Sequence, residues 1–134
     1  MPTHQSAREA VASATASAIS FISSHTAGGK TAASDTADRP GASFHLRKVA
    51  VCGAGVMGAQ IAAHCVNAGV PVVLFDLPAK EGDKSGIAKR AIAQLKKLNP
   101  APLGTPQLAE LITPANYADD LNLLADCDLI IEAI

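Results

Sequence analysis

The chain has 134 residues, with 12 acidic and 11 basic side chains and a formal net charge of −1 at pH 7. This length allows one domain of ordinary size, because domains cluster near ~100–150 residues. The balanced charge and the 3% aromatic content argue against a nucleic-acid-binding surface, and no apolar run approaches the ~18 residues of a membrane-spanning helix.

Residues 1–43 are rich in Ala, Ser, Thr and Gly, and they offer little large apolar surface to offset the entropy cost of ordering. We therefore predict a mostly disordered tail and linker that precedes a folded domain over residues 44–134. Ser6 and Glu9 have the S-x-x-E spacing of a capping box, which predicts a frayed helix over residues 6–23.

The sequence of this tail suggests two functional interpretations. Its Ser-rich, amphipathic character resembles an organelle transit peptide, but the acidic Glu9 and a single Arg before Arg39 count against that. The run Gly28-Gly29-Lys30-Thr31 resembles the end of a phosphate-binding loop. Ser24 stands where that motif requires its first glycine, so we set this interpretation aside.

The folded domain begins with a strand, a helix and a second strand. Residues 48–52 and 70–75 are short apolar runs, as expected for strands buried on both faces of a parallel sheet. Between them, residues 56–68 have helical periodicity, and Gly69 suits the position after a helix end. The apolar stripe of this helix consists of Ile61, Ala62, Cys65 and Ala68.

A second helix is predicted from residue 83 or 85 to residue 98, where Asn99-Pro100 stops it. Its inward side chains are Ile87, Ala91, Leu95 and Leu98. A proline-rich loop over residues 100–106, an edge strand over 112–117 despite Pro114, a short helix over 119–125 and a strand over 128–134 follow. This alternation predicts an α/β fold: a Rossmann-type, doubly wound parallel sheet with right-handed crossovers and helices on both faces.

A glycine motif, Gly53-Ala54-Gly55-Val56-Met57-Gly58, lies between the first strand and the first helix. In this G-x-G-x-x-G pattern, Gly53 permits a tight turn, Gly55 leaves room for a pyrophosphate, and Gly58 lets helix and strand pack closely. The phosphates would meet unpaired N–H groups at the positive end of the helix dipole. The pattern therefore predicts a dinucleotide site.

Asp76 ends the second strand 18 residues after Gly58, where a carboxylate can accept both hydroxyls of the adenosine ribose. It would repel a 2′-phosphate, and Leu77-Pro78 supplies no Arg to bind one. The predicted cofactor is therefore NAD rather than NADP. The structural alternative is a glycine turn that only packs, followed by a strand-end Asp that caps the next loop.

Three segments carry a resemblance to a known family: "FHLRKVAVCGAGVMGAQIAAHCVNAGVPVVLFDLPAKEG", "AIAQLKKLNPAPL" and "DDLNLLADCDLIIEAI". They resemble the NAD-binding domain of bacterial 3-hydroxyacyl-CoA dehydrogenases. The resemblance is closest to the long form, which is fused to an enoyl-CoA hydratase for fatty acid β-oxidation. It extends over residues 44–134 and not over residues 1–43.

The resemblance implies roles for particular positions. Gly53, Gly55 and Gly58, with Val56 and Met57, would hold the pyrophosphate, and Asp76 would bind the ribose. Glu132, Ala133 and Ile134 match the segment that lies against the cofactor toward its nicotinamide half, although Glu132 alone would equally suit a solvated strand end. The basic helix side chains Lys89, Arg90, Lys96 and Lys97 would either approach the phosphates of CoA or form an ordinary solvated face.

The catalytic group of the family is a His paired with a Glu and helped by a Ser and an Asn, all in a segment after the one matched here. The resemblance thus implies an N-terminal fragment of a cytoplasmic, homo-oligomeric enzyme that acts on 3-hydroxyacyl-CoA, without its catalytic residues or dimerisation domain. We predict no catalytic residue and no metal ligand in this chain. Its histidines, His4, His25, His45 and His64, are predicted to be solvated.

Two other functions are compatible with the glycine motif: a dinucleotide-binding module without catalysis, and another NAD-dependent β-hydroxyacid dehydrogenase or a flavin enzyme. The segment "AIAQLKKLNPAPL" favours the acyl-CoA family over both. Cys52, Cys65 and Cys127 form no C-x-x-C pair and are predicted to be reduced, buried apolar side chains. The last strand is predicted to expose apolar surface, which would make the chain marginally stable.

Overall fold

The computed structural model describes residues 44–134. The predictions made for the tail, namely disorder, a helix over residues 6–23, a transit peptide and the loop at residues 28–31, lie outside the described residues. So do His4 and His25.

The centre of the described part is a parallel sheet of four strands. They are β1 (Val49–Cys52), β2 (Val72–Asp76), β3 (Ile112–Asn116) and β4 (Leu129–Glu132), in the spatial order β3-β2-β1-β4. The chain moves outward from β1 to β2 and β3, then returns to the opposite side of β1 for β4. The direction of the connections therefore reverses beside β1, and ligands of open α/β sheets bind where the strand order reverses.

Both α-helices of the described residues, α1 (Val56–Asn67) and α2 (Gly86–Leu95), pack on one face of the sheet. Because side chains alternate along a strand, Val49 and Val51 of β1 face these helices while Ala50 and Cys52 face the other way. The helices contribute mainly alanine side chains to this core. The helical members are Ala59, Ala62, Ala63 and Val66 of α1, and Ala88, Ala91 and Leu95 of α2.

The second face is covered by a 3₁₀ helix, Leu121–Asp126, whose Leu124 is 2% exposed. The aromatic rings of Phe75 and Tyr117 stack in this layer with centroids 5.6 Å apart. The doubly wound parallel α/β fold predicted from the sequence is confirmed, with helical elements on both faces of the sheet. Among the described residues, the helical element on the second face is a 3₁₀ helix rather than the short α-helix expected there.

Several element bounds differ from the predicted ones. The segment predicted as a helix over residues 119–125 is this 3₁₀ helix, and a second 3₁₀ helix, Pro106–Leu111, was not predicted. Helix α2 ends at Leu95 rather than residue 98, and Leu98 is 45% exposed rather than inward. Pro114 is tolerated in β3 because that strand pairs on one side only in the described sheet.

The cysteines and the last strand agree in part with prediction. Cys52 is buried, while Cys65 and Cys127 are half-buried, and all three are free thiols. Burial raises the pKa of each of them, which keeps them protonated at neutral pH. Leu129 of β4 is 41% exposed, as expected for apolar surface on the last strand, and Ile134 is 45% exposed just beyond the strand, which ends at Glu132 rather than at residue 134. Marginal stability stays a prediction.

Asp128 joins the beginnings of β1 and β4. Its Oδ2 accepts hydrogen bonds from the main-chain N–H groups of Arg47 at 2.8 Å and Lys48 at 3.3 Å, and its Oδ1 accepts one from the Arg47 guanidinium at 2.9 Å. The hydrogen bonds and charge of Arg47 lower the pKa of the Asp128 carboxyl group. The ionised carboxylate is therefore favoured in the folded state.

This arrangement predicts a specific pH dependence of stability. Because the pKa of Asp128 is lower when folded than its unfolded value of about 4, the ionised group stabilises the fold above that pH. The stabilisation is lost as the pH falls through the folded pKa. In Asp128→Asn, we expect a lower Tm than in the wild type at pH 7 and a difference that shrinks toward pH 3.

Circular dichroism melts over that range would measure this difference. Glu81→Gln removes one exposed negative charge and controls for the change in net charge. Wild-type and Asp128→Asn curves that stay parallel over the whole pH range would contradict the prediction.

Candidate functional site

The glycine motif lies at the carboxyl ends of three neighbouring strands. Gly53 directly follows β1, and its N–H donates to the carbonyl oxygen of Phe75 in β2 at 2.8 Å. On the other side, the N–H of Ala133, just after β4, donates to the carbonyl oxygen of Cys52 at 2.9 Å. The loop over residues 53–55 thus begins between the ends of β2 and β4, where the strand order reverses.

Two of the three glycines are required by the fold itself. Gly53 has φ +109°, a conformation that L side chains rarely adopt, and a Cβ there would lie 2.8 Å from the carbonyl oxygen of Ala133. A Cβ at Gly58 would lie 1.7 Å from the carbonyl oxygen of Gly53. Main-chain atoms therefore exclude a side chain at both positions, so these glycines permit the turn and the close packing of α1.

Gly55 differs from the other two. Its φ of −70° and ψ of −174° are open to any residue, and a Cβ built there would meet nothing within 4 Å. Neither the backbone conformation nor packing within the described residues requires glycine at this position. The open space above Gly55 is the feature that a bound group would use, since absence of a Cβ allows a ligand to approach the main chain.

The N-terminus of α1 adds main-chain donors to this space. The first intrahelical hydrogen bond runs from the N–H of Ala59 to the oxygen of Gly55 at 3.0 Å, so the preceding N–H groups have no acceptor within the helix. No side chain caps this end, and its first turn contains no acidic residue. The side chains of Val56 and Met57 are 85% and 68% exposed. The arrangement suits an anion, which the helix dipole favours here.

Asp76 lies on the β2 side of the loop. Its Oδ2 accepts a hydrogen bond from the N–H of Ala54 at 2.6 Å, and its Oδ1 accepts one from the N–H of Leu77 at 2.7 Å. The sequence motif predicted a carboxylate near the loop at this strand end, and the structure brings the two together. The direct bond between Asp76 and the loop main chain was not predicted.

Glu132, Ala133 and Ile134 lie on the β4 side of the loop. Ala133 packs beneath it, since its Cβ would be 3.5 Å from a Cβ at Gly58. Glu132, the last residue of β4, is exposed and stands opposite Cys52 in the sheet. The residues singled out from the sequence are therefore brought to one edge of the sheet, with Asp76 and these three on opposite sides of the loop.

A cavity of about 280 Å³ adjoins the loop and separates it from α2. Ala54, Gly55 and Val56 line one side, and Leu95 and Leu98 line the other, with Gln60 and Gln94 among the remaining lining residues. Sequence reasoning missed this cavity because it assigned Leu98 to the core. The basic side chains of α2 and the residues after it, Lys89, Arg90, Lys96 and Lys97, are exposed.

Metal ligands and membrane-spanning helices are the other features relevant to function in residues 44–134. No group of three or more His, Cys, Asp or Glu side chains in this part is arranged to hold a metal ion. His45 and His64 are exposed, as predicted. Within the same range, the helices are too short or too polar to cross a membrane.

The family model for the 3-hydroxyacyl-CoA dehydrogenase NAD-binding domain matches residues 48–134. A Bacillus subtilis protein named "Probable 3-hydroxyacyl-CoA dehydrogenase" is 41% identical over 105 residues, which is 67% of this chain and 13% of that protein. A Deinococcus radiodurans protein of the same name is 46% identical over 91 residues, which is 66% of this chain and 26% of that protein.

Among solved structures, M. tuberculosis FadB2 is 33% identical with a TM-score of 0.49, over 68% of this chain and 32% of that one. The chain thus spans between 13% and 26% of the length of the two curated relatives. The family match extends over the whole sheet, the glycine loop and Asp76. The chain belongs to the family of NAD-binding domains of 3-hydroxyacyl-CoA dehydrogenases.

Proposed function

We propose that this chain binds NAD at the glycine loop and serves as the NAD-binding part of a 3-hydroxyacyl-CoA dehydrogenase. The observation that carries the proposal is the contrast among the three glycines. Main-chain atoms exclude a Cβ at Gly53 and Gly58, whereas Gly55 faces open space. A ligand gives a reason for glycine at position 55 beyond the modest preference for glycine over alanine before a helix, and the uncapped helix N–H groups beside it favour a ligand that carries phosphate.

The residues around the loop suit the two halves of the dinucleotide. The main-chain N–H groups at Gly55, Val56, Met57 and Gly58 would hold the pyrophosphate, with Gly53 making the turn. The carboxylate of Asp76 would accept hydrogen bonds from the adenosine ribose hydroxyls. On the opposite side, Glu132, Ala133 and Ile134 would border the nicotinamide half. These roles fit the charges and distances at the sheet edge.

Bound NAD would accept a hydride from the carbon that bears the 3-hydroxyl group of the substrate. The residues of this chain would bind and orient the cofactor for that step. The reaction also needs a general base within hydrogen-bond range of the hydroxyl, and both described histidines are exposed rather than at the loop. We propose that binding of NAD alone does not make this chain active.

The complete enzyme would convert 3-hydroxyacyl-CoA to 3-oxoacyl-CoA in fatty acid β-oxidation. This proposal rests on the family membership and on the resemblance of residues 44–134 to the long bacterial form. We further propose that the complete enzyme is a cytoplasmic homo-oligomer.

The binding proposal predicts a clear preference between cofactors. We expect NAD to bind at least about tenfold more tightly than NADP, because the 2′-phosphate of NADP would approach the Asp76 carboxylate without a neighbouring Arg. Isothermal titration calorimetry of the full chain with each dinucleotide measures this ratio. Equal affinities would contradict the assignment of Asp76. Addition of 3-hydroxybutyryl-CoA to the NAD-bound chain should produce no NADH.

A further inference from the structure

We propose that Asp76 is also a positioning residue for the glycine loop, so that it strengthens nucleotide binding even when the ribose carries no hydroxyl groups. The inference rests on the proposed function, because it concerns the same site. It goes further in giving Asp76 a second task that does not involve the sugar.

The Asp76 carboxylate holds the beginning of the glycine loop. The N–H of Gly53 continues the sheet by donating to the oxygen of Phe75 at 2.8 Å. One residue later the chain leaves the sheet, and the N–H of Ala54 donates instead to Oδ2 of Asp76 at 2.6 Å. Ala54 is 8% exposed, so without this bond its N–H would be buried and unsatisfied, which is costly.

The Asp76 carboxylate is bound through both of its oxygens. Its other oxygen, Oδ1, accepts the N–H of Leu77 at 2.7 Å, so main-chain donors from two separate segments fix the plane of the group. Each carboxylate oxygen can accept more than one hydrogen bond. The remaining lone pairs on both oxygens therefore point in fixed directions, where the two adjacent hydroxyls of a ribose could donate to them.

The hydrogen bond from Ala54 to Asp76 lies beside the proposed pyrophosphate site. Ala54 directly precedes Gly55, whose open face and following helix N–H groups form the proposed pyrophosphate site. Tethering Ala54 holds those groups in place before a nucleotide arrives. Without the tether, binding would have to order the loop, and that cost lowers affinity for any ligand that uses the loop.

A ligand pair separates the two tasks of Asp76. ADP carries the diphosphate and both ribose hydroxyls, whereas 2′,3′-dideoxy-ADP carries the diphosphate alone. Both ligands are titrated by calorimetry into the full 134-residue chain and into Asp76→Ala. The four affinities form a double-mutant-type cycle between the side chain and the ribose hydroxyls. We expect Asp76→Ala to weaken dideoxy-ADP binding by about tenfold, because a charge-assisted hydrogen bond that holds the loop is lost, and to weaken ADP binding further.

Asp128→Ala is the matched control. Asp128 also accepts two main-chain N–H groups, from Arg47 and Lys48, but it lies at the opposite edge of the sheet. The Asp128→Ala substitution should lower Tm without changing the affinity for either nucleotide. Asp76→Asn is the second variant if Asp76→Ala does not fold. The side-chain amide of asparagine has one oxygen, so it can accept from only one of the two N–H groups of Ala54 and Leu77, while its NH₂ group faces the other N–H donor.

Amide resonances give a readout that a general loss of stability would not move. In ¹H–¹⁵N spectra, the Ala54 amide proton should shift upfield in either Asp76 variant, while the Gly53 amide, bonded to Phe75, keeps its position. If the wild type binds neither nucleotide, the proposed function fails. If the wild type prefers ADP but the folded Asp76 variant binds dideoxy-ADP as tightly as the wild type does, the positioning role alone is overturned.

Discussion

Gly58→Ala is expected to lower the free energy of unfolding by about 2 kcal/mol, which corresponds to a fall in Tm of roughly 10 °C for a domain of this size. Alanine is a better helix former than glycine by about 1 kcal/mol, but the added Cβ would lie 1.7 Å from the Gly53 carbonyl oxygen. That neighbour is main chain and cannot rotate away, so the steric cost exceeds the gain in helix propensity.

Gly86→Ala is the control for this substitution. It places the same methyl group in helix α2, where the nearest heavy atoms would be 3.7 Å away at ordinary contact distance. Helix propensity should then dominate, and Tm should rise slightly. Thermal denaturation followed by circular dichroism measures both variants. A Gly58→Ala chain as stable as Gly86→Ala would show that the loop and helix α1 are not packed as described.

The local features of the fold could be predicted from the sequence. The first strand and helix α1 were placed to within one residue at each end, because Gly53 and Gly69 mark the turns that bound the helix and the apolar run of β1 is unbroken. The proximity of Asp76 to the loop was also predicted, since the ends of adjacent parallel strands meet at the same edge. Such predictions depend on residues close in sequence or on one general property of parallel sheets.

The distribution of helices over the two faces could not be predicted, because it depends on the order of the strands. Right-handed crossovers that run in one direction, from β1 to β2 to β3, put both connecting helices on the same face. Only the connection to β4 reverses direction, and it holds the 3₁₀ helix Leu121–Asp126. Periodicity alone does not reveal where a chain reverses.

The side-chain contacts of the site could not be predicted from the sequence either. The bond between Asp76 and the N–H of Ala54 depends on a side-chain rotamer and on the path of three loop residues. Leu98 has the helical spacing of a core residue, yet it is 45% exposed beside the cavity. An apolar side chain at a cavity edge and one in a core have the same sequence pattern.

Gly55→Ala should separate binding from folding. The backbone at Gly55 is extended and open to alanine, and a Cβ there would meet nothing within 4 Å. Alanine is less favourable than glycine before a helix by a few tenths to about 1 kcal/mol, and the smaller entropy of the unfolded chain offsets about the same amount. We therefore expect Tm to change by no more than a few degrees.

The affinity for NAD should instead fall at least about tenfold, because the new methyl group would occupy the space through which a phosphate reaches the main-chain N–H groups. Loss of one charge-assisted hydrogen bond costs about 1.5–3 kcal/mol, which corresponds to a fall of this size. Calorimetric titration of NAD into Gly55→Ala, Gly86→Ala and the wild type measures the effect. Unchanged affinity in a folded Gly55→Ala chain would contradict the assignment of the open space to the pyrophosphate. Gly86→Ala should bind as the wild type does, because its methyl group lies in α2 away from the loop.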